Sequence, residues 1–362
     1  MIQGKNINEV AGAVLAERNR VRDYVTDCSN MRMRSRGVSN DELVVDLRMS
    51  TDSPVGKYVR VEPSDRFHAQ MSNHLKIPKR YYDRMRSEAP RLLVENVNEW
   101  LDSQGGDRRL IRTFDNDFES TGSHHTGRAF LSDRYRRLDN YDLMEKLMPI
   151  ASESGLHVRS AELTERRLYL QLVTPSIEGE VVKGDTVQAG IVVSNSEVGS
   201  GSLSIQRLIY RLVCTNGMIS SRNDGNFRRT HIGKSLDDGD QSSIFSDETL
   251  KATDTAFWMQ AADAMRAALD SDLFRAEVDD LRRLAGVEIP SWGSAVEDVT
   301  QRFELTDNES DSIMNHLVNG GDLSQWGMVN AITRTAEDSL SYDRAIELET
   351  FGGDYAANPE GN

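Results

Sequence analysis

The chain contains 362 residues, of which 38% are hydrophobic and 28% charged, and its formal net charge is −15. This composition is typical of a globular protein, and the length is enough for one large domain or two ordinary ones. No segment approaches the roughly 18 consecutive apolar residues that a membrane-spanning helix needs. Because the N-terminus also lacks the basic and apolar regions of a signal sequence, we expect a cytoplasmic protein without a membrane partner.

Charge is distributed unevenly along the chain. Residues 1–234 hold 35 Lys and Arg against 31 Asp and Glu, whereas residues 235–362 hold 8 against 27. A weakly basic body followed by a strongly acidic third is typical of nucleic-acid-binding proteins with an acidic regulatory part. An ordinary solvated acidic surface would produce the same asymmetry.

Hydrophobic spacing in the N-terminal third predicts both helices and strands. The predicted elements are a helix over 7–25, strands over 42–49 and 57–61, a helix that Ser64 opens, and a helix over 81–101. Phe67, Met71 and Leu75 recur every four residues and form the apolar face of the second helix. Pro90 is predicted to kink or divide the third.

The middle of the chain is predicted to be rich in strands. Its elements are strands over 109–114, 128–131, 168–172, 187–193 and 202–214, with a short helix over 141–148. Arg207 and Arg211 share one face of the last strand with its apolar residues, because side chains alternate between faces. The segment Gly199-Ser200-Gly201-Ser202 is interpreted as a hairpin turn, since no helix follows it to form a phosphate-binding loop.

The last third changes to helical spacing. Helices are predicted over 248–284, 295–303, 310–318 and 323–336. The domain prediction is an α+β body over 1–234, a linker over 235–246, an acidic helical subdomain over 247–350 and a flexible tail over 351–362. Strands and helices do not alternate regularly, so the predicted fold class is α+β, with a mainly antiparallel sheet packed by helices and a helical C-terminal subdomain.

Five segments together resemble a known family. They are IPKRYY (77–82), AFLSDRYRRLDN (129–140), NSEVGSGSLS (195–204), YRLVCTNGM (210–218) and WGMVNAITR (326–334). They resemble the phage- and plasmid-type family catalogued as domain of unknown function 932, over residues 60–350. The resemblance implies a mobile-element protein in a bacterial cell, related more distantly to proteins that handle single-stranded DNA, such as phage annealing proteins.

Residue types suited to catalysis or metal binding form few candidate sets. Cys28 and Cys214 are far apart in sequence, which predicts two reduced, buried thiols and excludes a cysteine-rich zinc site. His124-His125 is interpreted as a solvated loop pair, since neighbouring side chains point differently. A Mg²⁺ site would need converging carboxylates, for which Asp115, Asp117 and Glu119 are the only candidate set, and an acidic loop is the simpler interpretation. We therefore predict no catalytic residue, no metal and no cofactor.

Basic residues interleaved with aromatic ones give the strongest functional indication. Arginine neutralises phosphates, and Tyr or Phe stacks on any base, so such residues suit a single nucleic-acid strand. The alternative is that these arginines pair with the acidic last third. The candidate nucleic-acid-binding residues are Arg128, Arg134, Tyr135, Arg136, Arg137, Arg207, Tyr210, Arg211, Arg222, Phe227, Arg228, Arg229 and Lys234.

The leading functional hypothesis is a non-enzymatic, self-associating protein of a phage or plasmid that binds or anneals single-stranded DNA. A second hypothesis is a protein-interaction or host-modulating factor that acts through the acidic helical third. A third is a metal-dependent nuclease that uses Asp115 and Asp117. Convergence of the candidate arginines in one open groove would favour the first hypothesis over the other two.

Overall fold

The computed structural model describes most of the chain. The described residues are 4–36, 42–49, 58–116, 124–214, 216–222, 226–231 and 247–361. The linker predicted over 235–246 and the candidate Lys234 lie outside them. None of the helices formed by the described residues has the length and hydropathy required to cross a membrane.

The described residues form eleven α-helices and twelve strands. The helices are α1 Ile7–Arg20, α2 Asp65–His74, α3 Lys79–Glu88, α4 Pro90–Ser103, α5 Asn140–Glu153, α6 Asp247–Ala268, α7 Ser271–Ala285, α8 Trp292–Arg302, α9 Asp307–Gly320, α10 Gln325–Thr335 and α11 Tyr342–Ala357. The strands are β1 Val21–Asp27, β2 Met31–Arg36, β3 Glu42–Arg48, β4 Tyr58–Pro63, β5 Arg108–Asp115, β6 His124–Ser132, β7 His157–Leu163, β8 Leu168–Glu180, β9 Thr186–Asn195, β10 Leu203–Arg211, β11 Gly217–Ile219 and β12 Phe227–Arg229.

The strands form two sheets. The first has the order β1-β5-β6-β4-β3-β2, and β4 with β6 is its one parallel pair among the described strands. The second has the order β11-β10-β9-β8-β7 with every described pair antiparallel, and β12 also pairs with β10. The predicted α+β class with mainly antiparallel pairing is confirmed, although there are two sheets.

Helices α2, α3 and α4 cover one face of the first sheet. The predicted apolar face of α2 is correct: Phe67, Met71 and Leu75 are all buried in this core. The Ser64 hydroxyl accepts a hydrogen bond from the Phe67 amide at 3.2 Å, as expected of a helix cap. Pro90 divides the predicted third helix into α3 and α4, because proline begins a helix readily but cannot continue one.

The second sheet carries two helical layers on one face. Helices α1, α5 and α6 cover Leu170 and Ile191, whereas α7 to α10 cover Val187 and Ile209. Trp326 of α10 is the largest fully buried side chain of the second layer. The acidic helices therefore share a hydrophobic core with the second sheet. The division of the chain into a basic body and an acidic subdomain stays a prediction.

Several predicted boundaries are wrong, for local reasons. The helix predicted over 7–25 ends at Arg20, because Val21 begins a strand and pairs with Phe114 of β5. The helix predicted over 248–284 is two helices, since the Asp270 carboxylate caps a new helix by accepting from the amides that follow it. The predicted strand 202–214 ends at Arg211.

The predicted tail also differs from the structure. Helix α11 continues to Ala357, and Tyr355 is buried against the helical core. Apolar residues of the last segment are sparse, and glycines interrupt them, so spacing alone did not indicate a helix. Gly353 has a packing role, because a Cβ atom there would lie 1.9 Å from the Ile219 carbonyl oxygen of β11.

Candidate functional site

The candidate arginines of β10 are engaged with carboxylates and not with solvent. Arg207 is only 3% exposed and lies 2.8 Å from the Glu277 carboxylate of α7. Arg211 lies 2.6 Å from Asp185, and Arg222 pairs with Asp280. The face that these strand residues share with apolar side chains is the one that the helices cover. The alternative interpretation, pairing with the acidic third, is therefore correct for Arg207 and Arg222.

The candidate Arg128 belongs to a buried ionic cluster between the two sheets. Arg112 of β5 is fully buried, and its guanidinium donates to Asp23 at 3.1 Å and to Asp139 at 2.7 Å. Arg128 lies 2.8 Å from the Glu197 carboxylate, and Glu197 also accepts from the Asn140 amide. We call Arg112, Arg128, Asp23, Asp139 and Glu197 the Arg112 cluster.

The charges of the Arg112 cluster stabilise one another. Burial lowers the pKa of the Arg112 guanidinium, but Asp139, Asp23 and Glu197 outweigh this effect and the net pKa lies above its ordinary value. Burial raises the pKa of Glu197, and Arg128 and Arg112 reverse that shift, so its pKa falls below the ordinary value. Burial outweighs Arg112 at Asp139 and raises the pKa of that carboxyl group. The opposite charges nevertheless offset the burial of Arg112 and Glu197, which indicates a structural connection between the sheets.

Three further candidates between β6 and α5 are also held by the fold. Arg137 lies 3.2 Å from Asp23 of the Arg112 cluster. The Tyr135 ring stacks on His231 with centroids 4.9 Å apart, and its hydroxyl donates to the Ser196 carbonyl at 2.8 Å. The Arg136 guanidinium lies over the Phe257 ring at 4.8 Å.

Three other candidates have different environments. Tyr210 is buried, and its hydroxyl accepts from Arg159 at 2.6 Å. Arg134 and Arg229 are exposed and form no ion pair with any described residue. The thirteen candidates thus do not converge in one groove within the described part of the chain.

A different cleft carries the two candidates that remain, Phe227 and Arg228. It has a volume of about 710 Å³ and lies on the face of the second sheet opposite the helical layers, between the strands and α11. Its floor is formed by polar side chains, among them Ser194, Ser204 and Gln206. A polar floor in a cleft of this size is suited to a hydrophilic ligand.

Four arginines form one rim of the cleft, around the turn between β9 and β10. They are Arg66 from α2, Arg166 and Arg167 from the segment before β8, and Arg228 from β12, and we call them the arginine rim. None of the four pairs with a carboxylate among the described residues. They are the positive charges of the cleft that the described chain does not neutralise.

Neutral groups of the turn hold the arginine rim. The Arg66 Nε donates to the Val198 carbonyl at 2.8 Å, and the Arg167 Nε donates to the Ser200 carbonyl at 3.1 Å. Arg228 donates to the Ser202 hydroxyl at 2.9 Å. Burial lowers the pKa of Arg66, and the charges of Arg166 and Arg167 lower it further. The rim is therefore a site of mutual repulsion that an anion would relieve.

The opposite rim is acidic and belongs to α11. Asp343 accepts from the Tyr169 hydroxyl at 2.7 Å, Glu347 pairs with Arg344 at 2.8 Å, and Asp354 accepts from Ser221. One side of the cleft therefore presents hydrogen-bond donors with positive charge, and the other presents acceptors with negative charge. Such a cleft would fix the direction of a ligand that has an anionic end and a donor end.

Arg66, Arg166 and Arg167 were missed in the sequence. They lie far from Arg228 in the sequence and outside its basic runs, so no local sequence pattern groups them with Arg228. The structure explains Gly201 of the turn, because a Cβ atom there would collide with the Arg167 guanidinium. The Gly-rich turn is a hairpin, as predicted, and Gly199 has a φ of +69°.

The acidic set, the histidine pair and the two cysteines singled out in the sequence lie in different environments. Asp115 lies 3.9 Å from Arg22, and Asp117 and Glu119 lie outside the described residues. His125 is buried against Tyr24 and not solvated, which corrects that prediction, and the side chain of His124 is outside the described part. Cys214 is partly exposed and accepts from Arg211, so only Cys28 is a buried thiol.

Comparison with known proteins identifies one matching family. The sequence profile of the family described as "Domain of unknown function (DUF932)" matches residues 129–339, which is more than half of the chain. The chain belongs to the DUF932 family. The DUF932 match covers the Arg112 cluster residues Asp139 and Glu197, the turn between β9 and β10, and helices α6 to α10. No curated protein and no solved structure matches the chain.

Proposed function

We propose that this DUF932 protein binds a single nucleic-acid strand in the cleft, with phosphates against the arginine rim. The supporting observation is that Arg66, Arg166, Arg167 and Arg228 converge there without a carboxylate partner in the described chain. Arginine forms bidentate hydrogen bonds with phosphate oxygens, and a row of such bonds gives affinity without sequence preference.

Of the other walls of the cleft, the acidic rim suits the bases of a strand. Phe227 adjoins the cleft, but its ring packs with Phe257 of α6 on the other face of the sheet, so it offers the cleft no stacking surface. The carboxylates of Asp343 and Glu347 would accept from base amino groups and would repel the backbone from that rim. The two rims therefore favour one orientation of the strand across the cleft.

The rival hypotheses have less support. Acidic residues of α7 pair with arginines one turn later, as Asp272 does with Arg275 and Asp279 with Arg282, which is typical of a solvated helix surface. The nuclease hypothesis needs residues outside the described part. The phage or plasmid origin, the annealing role, self-association and the cytoplasmic location stay predictions.

Fluorescence anisotropy with a labelled single-stranded DNA oligonucleotide, measured over a salt series, tests the proposal. We expect binding at low salt with a steep loss of affinity as salt rises, and weaker binding by Arg166→Glu and Arg228→Glu. Arg91→Glu is the control, because Arg91 is exposed on α4, away from the cleft, and the change of charge is the same. Equal weakening by the control variant would contradict the assignment of the cleft.

Competition separates the alternatives in the same assay. Unlabelled single-stranded RNA, duplex DNA and free nucleotide are each added to the preformed complex. We expect the single-stranded RNA to displace the labelled oligonucleotide at a lower concentration than the other two competitors. Incubation with Mg²⁺ followed by gel analysis checks whether the oligonucleotide stays intact. Absence of any binding by the full chain at low salt would overturn the proposed function.

A further inference from the structure

Three potential metal ligands from separate elements meet at one end of the first sheet. Cys28 follows β1, His74 is the last residue of α2, and Asp107 precedes β5. The ligand atoms of the three side chains all lie within 4.8 Å of one another. The His74 Nε2 atom lies 3.9 Å from the Cys28 Sγ atom and 3.0 Å from an Asp107 carboxylate oxygen.

The arrangement is that of a ligand set and not of a catalytic relay. In a relay, one ring nitrogen of histidine faces the nucleophile and the other faces the carboxylate. Here the thiol and the carboxylate both face Nε2 of His74. Burial also raises the pKa of the Cys28 thiol to about 12, which is unsuited to a thiolate nucleophile.

The distances agree with tetrahedral coordination. Bond lengths of about 2.3 Å to sulfur and about 2.0–2.2 Å to nitrogen and oxygen place two ligand atoms of a tetrahedral zinc about 3.3–3.6 Å apart. The two separations from His74 Nε2, 3.9 and 3.0 Å, differ from that range by a few tenths of an ångström, and the third, between the thiol and the carboxylate, is within 4.8 Å. Small side-chain rotations would bring all three atoms to bonding distance of one ion.

We propose that Cys28, His74 and Asp107 form a site for a divalent metal ion of the zinc class. Cysteine, histidine and carboxylate are the donor types that zinc prefers. A thiolate and a carboxylate would neutralise the two charges of the ion, and the thiol proton would be released to solvent on binding. Three protein ligands leave a fourth position, which a water molecule would occupy.

The backbone around the site is already fixed. The Cys28 amide donates to the Asp107 carbonyl at 2.9 Å, and the Asp27 carboxylate accepts from the Gly106 amide at 2.7 Å. These bonds join the two loops that supply the thiol and the carboxylate. Preorganisation of this kind lowers the cost of assembling a ligand set.

Two residues beside the three proposed ligands, Gln104 and Arg109, affect the site in different ways. Gln104 contacts the His74 ring through its side chain and can orient that ring towards the other two ligands. The Arg109 guanidinium is close enough to lower the pKa of His74 after burial has done so, and it lies over the Phe130 ring. Its positive charge is compatible with a neutral metal–ligand unit.

Titration of the metal-free full chain with Co²⁺ tests the proposal. Cobalt replaces zinc and reports on its ligands, so one equivalent should produce visible bands of tetrahedral cobalt and a near-ultraviolet thiolate-to-cobalt band. Added Zn²⁺ should abolish both. Cys28→Ser should lose the thiolate band, whereas Cys214→Ser, the matched variant at the other cysteine, should retain it.

A second variant keeps the test decisive if Cys28→Ser does not fold. The Asp107 side chain is 42% exposed, so Asp107→Asn preserves packing, and it should weaken Co²⁺ binding at least about ten-fold. Circular dichroism checks the fold of each variant. Absence of a thiolate band in the wild-type protein, or unchanged affinity in Asp107→Asn, would overturn the proposal.

Discussion

The Arg207 guanidinium on β10 and the Glu277 carboxylate on α7 form a buried ion pair at 2.8 Å. Both residues are less than a tenth exposed, so each charge depends on the other for stabilisation. We predict that Arg207→Ala destabilises the protein by about 3–5 kcal/mol, because it leaves a buried carboxylate without its counter-charge. Urea unfolding at neutral pH measures this loss.

The double variant Arg207→Met, Glu277→Leu is the control for that prediction. Removing both charges and keeping similar volume should cost clearly less than Arg207→Ala alone. If both variants lose the same stability, the effect arises from packing of the arginine stem and not from the ion pair.

Gly199 in the turn between β9 and β10 is predicted to be essential for the stability of the arginine rim. Its φ of +69° lies in the left-handed region, and a Cβ atom would lie 2.7 Å from Leu131. Gly199→Ala should therefore cost about 1–2 kcal/mol in thermal or urea unfolding. Gly12→Ala is the control, since Gly12 is exposed inside α1 with open space around it, and should be neutral or stabilising. Equal effects of the two changes would contradict the role of the turn.

Local pattern was sufficient to predict much of the fold. The four-residue spacing of Phe67, Met71 and Leu75 indicated the buried face of α2, and Ser64 indicated its start. Alternation along residues 203–211 indicated that Arg207 shares a face with apolar side chains. These features depend on neighbouring residues, which the sequence displays directly.

The site depended on long-range contacts that no local pattern displays. The sequence left open whether Arg207 binds nucleic acid or pairs with the acidic third, because its partner, Glu277, comes from a helix far along the chain that packs on that face. The arginine rim forms only because α2 of the first sheet layer lies beside the turn of the second sheet. The ligand set of Cys28, His74 and Asp107 has no short spacing to recognise, for the same reason.

Salt dependence should distinguish direct arginine–phosphate bonds from general attraction to the arginine rim. Removing one arginine that neutralises a phosphate should reduce the slope of log affinity against log salt by about 0.7 for single-stranded DNA. Arg166→Ala and Arg228→Ala should therefore each lower the slope, and their effects should add. Arg91→Ala should leave the slope unchanged, since Arg91 does not line the cleft. Identical slopes in all three variants would show that the rim does not bind the phosphates.

The buried Glu349 carboxyl group is predicted to make stability depend on pH. Burial raises its pKa to about 8 from an ordinary 4.5, and its one described side-chain partner is the Gln171 amide at 2.6 Å. The free energy of unfolding is highest below the pKa that Glu349 has in the unfolded chain, because the folded and unfolded states then both carry the proton. It declines as pH rises towards 8, because unfolding then releases a proton that the folded state retains.

Glu349→Gln should remove that decline. The Gln171 Nε2 atom donates to the Glu349 carboxyl group, and the side-chain amide oxygen of the new glutamine would accept the same hydrogen bond without carrying a titratable proton. The variant should be more stable than the wild type at pH 8, by about 3–4 kcal/mol, and nearly equal to it at pH 4.5. Glu347→Gln is the matched control on the same helix, because its side chain is 56% exposed and paired with Arg344. Unfolding midpoints across this pH range provide the test, and a decline with pH that persists unchanged in Glu349→Gln would assign it to other groups.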